Sequence, residues 1–366
     1  MGLPTSKGRN LLFYHYQLDL RKRLFLDEFG LFLGRRRKRF VVRRKGKVAE
    51  EVPADDVEAI VLMSKGVAVS EDAVRLAIDR RVQIVHAYHS GWPYAFTIPT
   101  FLSGSVETRR QQFLAYSDER GVELAKAFVI GKLTNQSNLL KLLSKSRQRT
   151  QPRLANELYG HAVGVDHVAD RLGEIRGFEV DAVRLDIMNL EAGAARFYWS
   201  GIARVLPSEL GFRGRDPGGT DPFNVLLNYG YGILYGEVWK AVYYAGLDPF
   251  AGFLHADRPG KPSLVLDLIE EFRQQVVDRS IVSLIARRRL GDEGIFEEGL
   301  PEGEKPILSK AVRHLVAEAI VKRLGDEVAF EGKKLALSSI ILRQARKVAR
   351  YLRGTIRAYT PFVQRW

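Results

Sequence analysis

The hydrophobic period changes once along the chain, and that change constrains the fold more than any other feature. Up to Thr100-Phe101-Leu102-Ser103-Gly104, apolar residues come in short β-branched and aromatic runs. From Ser105 onward they recur every three or four positions, the period of a helix. In the first part, residues 11–16, 24–26, 40–44, 48–52, 57–63, 82–86 and 94–98 predict strands, punctuated by Lys45-Gly46, Pro53 and Ser90-Gly91. One helix is predicted over 70–81, with Ser70 as N-cap and Glu71 and Asp72 in its first turn. A boundary near residue 103 follows. The expected class is α+β: a β-rich N-terminal domain over 1–103 and a larger all-α C-terminal domain over 104–366. A chain of 366 residues is long enough for two such cores. The polar, Gly/Pro-rich segment 207–222 should break the helical part.

Charge then narrows the partners. Lys and Arg number 57 against 43 Asp and Glu, a net charge of +14. Such a balance favours an anionic partner, nucleic acid first and an acidic membrane surface second. Within residues 1–48 there are 14 Lys/Arg and 3 Asp/Glu, densest at Arg35-Arg36-Arg37-Lys38-Arg39 and Arg43-Arg44-Lys45. Near the C-terminus Arg343, Arg346, Arg350 and Arg353 share one helix face, with Ile341, Ala345, Val348 and Leu352 on another. Either basic feature could grip phosphates or simply be solvated. Cysteine is absent, which excludes disulfides, thiol catalysis and thiolate-ligated zinc. No run approaches the roughly 18 apolar residues of a membrane span, and no leader is visible, so a cytoplasmic protein without a membrane partner is expected.

Several familiar motifs fail on inspection. Gly230-Tyr231-Gly232 through Gly236 imitates a dinucleotide fingerprint, but the last Gly falls one residue late and no strand precedes it. These glycines are better read as points of close helix packing. Gly260-Lys261-Pro262-Ser263 lacks phosphate-loop spacing. His86 and His89 have no carboxylate partner in sequence and read as structural.

Two segments carry more. Read as a helix, Met188, Glu191, Ala195, Tyr198 and Ile202 form one stripe, which sets a carboxylate among apolar neighbours. That is costly unless a partner compensates, either a buried Glu–Arg pair or a ligand in the room left by Ala192, Gly193, Ala194 and Ala195. The second segment runs from Gly252 to Phe272. His255 precedes a tight loop, and a helix starts near Pro262 with Val265, Leu268, Ile269 and Phe272 on its core face. Asp267, Glu270 and Glu271 gather opposite, as a solvated acidic face or around a cation. One His and two or three carboxylates from separate helices would suit a hard ion, Mg²⁺ or Mn²⁺. Phosphodiester chemistry uses such an ion, and its charge would reverse the repulsion between bare carboxylates and DNA.

At these residues the chain resembles the CRISPR-associated integrase-endonuclease family of the spacer-acquisition machinery, the first-numbered Cas protein. The resemblance rests on Asn189-Leu190-Glu191, Ala194-Ala195-Arg196 and Tyr198-Trp199, on 227–235, and on the specific stretch Gly246 to Arg273. Gly131-Lys132-Leu133-Thr134-Asn135-Gln136 and Gln344-Ala345-Arg346 also fit, while Gly193 departs from the family's Asn. The resemblance implies a metal-dependent DNA endonuclease and integrase. Such an enzyme inserts short DNA fragments into a CRISPR array by attack of a 3′-hydroxyl on a phosphodiester. It implies Glu191, His255 and Glu270 as ligands of Mg²⁺ or Mn²⁺. It places Asp267 beside them as a supporting residue or general base, and leaves His255 a choice between ligation and proton transfer. Implied partners are double-stranded and branched DNA, a second copy in a homodimer, and a small partner Cas protein, with dimerisation and partner contact in the N-terminal domain. The competing class is a non-catalytic basic DNA-binding scaffold in which Glu191 and His255 are core pairs.

Overall fold

A computed structural model describes residues 15–18, 21–99, 106–287, 294–298 and 305–364. The chain divides into two compact units, residues 1–99 and 100–366. The expected strand residues 11–14 and the turn residues 100–105 lie outside the described residues.

The first unit holds β1 (His15–Leu18), β2 (Arg21–Leu26), β3 (Leu31–Arg36), β4 (Arg39–Arg44), β5 (Lys47–Pro53), β6 (Val57–Leu62), β7 (Ala68–Val69), α1 (Glu71–Asp79), β8 (Gln83–Ala87) and β9 (Pro93–Thr97). One sheet has the order β1-β2-β6-β8-β9 and the other β5-β4-β3-β7. The β2–β6 and β6–β8 pairs are parallel. Parallel pairs need crossovers, which the second sheet and α1 supply. The apolar faces meet in a core that includes Leu24, Leu33, Phe40, Val42, Ile60 and Ile84. Ser70 caps α1 by accepting from the Ala73 amide at 3.2 Å. The run Arg35 to Arg39 turns out to be the tip of the β3–β4 hairpin. It is partly neutralised, since Arg36 and Arg39 reach Glu51 at 3.5 and 2.9 Å.

The second unit is helical: α2 (Val106–Ala115), α3 (Glu119–Arg147), α4 (Pro152–Glu174), α5 (Val180–Ala203), α6 (Pro222–Tyr244), α7 (Ser263–Ile269), α8 (Arg279–Ala286), α9 (Lys310–Gly325) and α10 (Leu337–Leu352). A six-residue π-helical turn, Arg273–Asp278, leads into α8. The expectation of an all-α domain needs one correction, a hairpin of β10 (Glu327–Phe330) and β11 (Lys333–Ala336). Glu331 and Gly332 both take positive φ there and make the tight turn. Helix α6 is buried on nearly every face. A Cβ on Gly230 would stand 2.6 Å from Val277 and 2.7 Å from Ile320, so this glycine does serve close packing. Arg343, Arg346 and Arg350 on α10 and Arg353 just after it are exposed, while Ile341, Ala345, Val348 and Leu352 are buried. Among the described residues no helix is long and apolar enough to cross a membrane.

Candidate metal centre

Helix α5 brings Glu191 into the second unit, but on a different stripe from the one its sequence suggests. The buried positions are Val180, Val183, Ile187, Ala194, Tyr198, Gly201 and Ile202. Met188 is exposed, because Ile187 rather than Met188 takes the core position. Glu191 therefore lies at the edge of the core face, with its side chain 18% exposed.

Its partner is a lysine, not an arginine. Lys132 on α3 reaches Glu191 Oε1 at 2.5 Å and Glu270 Oε2 at 2.8 Å. Two carboxylates far apart in sequence thus share one ammonium. Glu270 follows the last turn of α7 and is 5% exposed; Arg273 Nε donates to its other oxygen at 3.0 Å. Burial opposes ionisation of Glu270, but Arg273, Lys132 and His255 outweigh it and hold the carboxyl below its ordinary value. Burial likewise opposes the charge on Lys132, and the two glutamates overcome it and raise its affinity for the proton.

The acidic residues after Pro262 do not form a solvated face. Asp267, Glu270 and Glu271 are all buried, and each points to a different task. Asp267 accepts from the amides of Phe253, Leu254 and His255 at 2.6, 3.0 and 2.9 Å. It also accepts from His255 Nδ1 at 2.7 Å. Four donors fill the lone pairs of a carboxylate. A carboxylate only accepts, so Nδ1 is the donor of this pair, and the ring presents Nε2 on its far side. The loop can come this close because residue 252 is glycine: a Cβ there would lie 2.8 Å from Asp267 Oδ2 and 2.7 Å from Ser263.

Glu271 faces away from this group. It accepts from Tyr359 at 2.5 Å, Gln344 at 2.9 Å and the Phe362 amide at 2.7 Å. Burial still dominates and pushes its carboxyl up to about 7. Asn135 supports the same junction by donating to the carbonyls of Glu271 and Phe362 at 2.9 and 2.8 Å. Behind the site, Asp278 accepts from Tyr198 and Tyr231, each at 2.6 Å.

The expected site residues therefore come together to this extent: Glu191 and Glu270 meet at Lys132, Asp267 holds His255, and His255 acts electrostatically on Glu270. Among the described residues no three His, Asp or Glu side chains are gathered as a metal-holding group, since Lys132 stands between two of them. The donor set nevertheless fits a hard cation: two carboxylates already share one positive charge, and a held imidazole lies nearby. The buried Glu270 Oε2 makes no aligned hydrogen bond, although the ammonium lies near it. Sequence reasoning gave no role to Lys132, Arg273 or Asp278. The available signals were a lysine inside the apolar face of α3 and the i, i+3 spacing of Glu270 and Arg273.

A strand-rich unit followed by a helical one is an architecture shared with known proteins. The chain matches the family described as CRISPR associated protein Cas1 over residues 24–322. It is 39% identical to a CRISPR-associated endonuclease Cas1 of Archaeoglobus fulgidus, over 94% of this chain and all of the relative. Its fold is similar to that of a casposase bound to integration product, with a TM-score of 0.78, 24% identity and 92% of both chains covered. It is also similar to a chain of a Cas6-RT-Cas1–Cas2 complex, with a TM-score of 0.72 and 18% identity over 96% of this chain and 37% of that one. The chain belongs to the Cas1 family.

Proposed function

We propose that the protein is a metal-dependent DNA endonuclease and integrase that inserts short DNA fragments into a CRISPR array. The observation that carries this reading is the convergence of Glu191 and Glu270 on one cation position beside an imidazole fixed by Asp267. Family membership and the endonuclease name of the Archaeoglobus fulgidus relative support the class of reaction. The casposase, with its integration product, supports the strand-transfer form.

In this reading Glu191, Glu270 and His255 Nε2 hold Mg²⁺ or Mn²⁺. The bound ion supplies Lewis acidity toward the attacking hydroxyl or water and neutralises the phosphate. Asp267 works through His255, fixing its tautomer and ring direction. Arg273 keeps Glu270 oriented and ionised. The new P–O bond forms to the 3′-oxygen, which gives up its proton, as the bond to the displaced strand breaks and the departing oxygen takes a proton up. Hydrolysis is the same displacement with water. The basic β3–β4 tip and the α10 arginines would contact DNA backbone. A homodimer and a small partner Cas protein complete the assembly, as the Cas1–Cas2 complex suggests, with dimer and partner contacts assigned to the first unit. The expected location is the cytoplasm.

One observation favours a second reading. The Lys132 pairs are what a non-catalytic DNA-binding scaffold would use to hold its helices together. A single experiment separates the two: strand transfer and cleavage on branched and linear duplex DNA, with Mn²⁺, Mg²⁺ or chelator, for wild type and Glu191→Ala. Lys132 keeps its Glu270 contact in that variant, so folding should survive. The enzyme reading expects metal-dependent turnover that the variant loses while still binding DNA. Unchanged turnover, or no effect of chelator, would sink it.

A further inference from the structure

We propose that Lys132 is the resident cation of this site, holding Glu191 and Glu270 together until a divalent ion displaces it. The inference rests on the metal-dependent reading and goes further, because it makes metal binding an exchange of cations rather than the filling of a vacant pocket.

Three observations lead there. First, the ammonium lies 2.5 and 2.8 Å from oxygens of Glu191 and Glu270, which come from α5 and the end of α7. Those distances exceed a hard-cation–oxygen bond by only about half an ångström. Second, the two contacts are unequal. Lys132 donates to Glu191 Oε1 at 2.5 Å, whereas its contact with the buried Glu270 Oε2 is longer, at 2.8 Å, and less well aligned. That oxygen keeps a lone pair for another cation. Third, Glu270 does not depend on Lys132 for its orientation, because Arg273 Nε holds its other oxygen at 3.0 Å. If the ammonium leaves, Glu270 stays in place.

The side chain suits the task. Two carboxylates crowded into one site repel, and one of them would take up a proton unless a cation lies between them. A lysine prevents this with a compact charge on a flexible four-carbon stem, so it can withdraw while α3 remains fixed. An arginine would bind more rigidly and leave less readily. The consequence is a site assembled in advance whose affinity for metal is lowered by the competitor it contains.

The test uses Mn²⁺ alone, with calorimetric titration and thermal melting of the full chain. Lys132→Gln should bind Mn²⁺ at least about tenfold more tightly than wild type, since the competing charge is gone. It should also melt lower without metal and gain more in Tm from Mn²⁺ than wild type does. Lys132→Arg should bind Mn²⁺ no more tightly than wild type. If Lys132→Gln cannot fold in metal-free buffer, Mn²⁺ should restore folding where Na⁺ does not; failure of that rescue overturns the proposal. Binding by wild type with no gain in Lys132→Gln would refute this inference alone. No Mn²⁺ binding by either protein would remove the metal reading and this inference together.

Discussion

The Tyr198 hydroxyl lies 2.6 Å from Asp278 Oδ2, which ties the helix that carries Glu191 to the π-helical turn that follows Glu270. Tyr231 completes the clamp from α6 at 2.6 Å. π-Helical turns cost regular hydrogen bonding and concentrate at functional sites. Here the turn places Arg273 toward Glu270 and Asp278 toward the two tyrosines. Tyr198→Phe leaves a buried carboxyl short of one donor and should cost about 1–3 kcal/mol in urea unfolding. Tyr198→Phe with Tyr231→Phe should be non-additive, because both act on one carboxylate.

Stability should depend on pH in an unusual direction through two buried acids. Burial raises Asp278 to about 6, against partial opposition from Tyr198 and Tyr231, and raises Glu271 to about 7. Their ordinary values are 3.8 and 4.5. Between those values and the raised ones the folded chain holds more protons than the unfolded chain. The contribution of these two groups is thus full at low pH and is lost as pH rises toward 7. Glu270 acts in the opposite sense, with its stabilisation present above 4.5 and lost as pH falls through its lowered value. Asp278→Asn should melt with a flatter pH dependence between about pH 4 and 6 than wild type, and the difference between the two curves is the quantity to measure.

Asp267→Asn should be more damaging than its small change in shape suggests. The carboxylate accepts from three amides and one imidazole, and an amide nitrogen in place of one oxygen would turn a donor toward donors. The expected result is a loss of about 10–100-fold in Mn²⁺ affinity together with lower thermal stability. His255→Ala should lose metal affinity with less effect on melting, since that ring is 24% exposed.

Sequence patterns reveal most of the fold for a physical reason. Helix residues such as Leu76 and Val348 sit at a period imposed by burial, and strand residues such as Val41 and Val42 stand in short, wholly buried β-branched runs. The strand Leu31–Arg36 escapes because its outer end merges with a run of arginines that reads as charge alone. Periodicity also says too little about the site. Asp267, Glu270 and Glu271 look alike as an acidic cluster, yet one holds a loop, one meets a lysine and one receives a distant segment. Those differences are set by partners 12 to 138 residues away, which no local pattern encodes. Lys132 stands out in sequence as a lysine among apolar neighbours, but its role appears only once α3, α5 and α7 are packed.

Phe362→Ala should destabilise the second unit by about 3–5 kcal/mol in chemical denaturation. The ring is fully buried and stacks on Phe272 at 5.1 Å.

The Phe362 amide meets Glu271 across 91 positions of sequence. A growing chain that has just delivered Glu271 from the ribosome still lacks Tyr359 and Phe362, two of the groups that bury and bond it. Burial of Glu271 is therefore a late event in synthesis, completed only when residues 359–364 arrive.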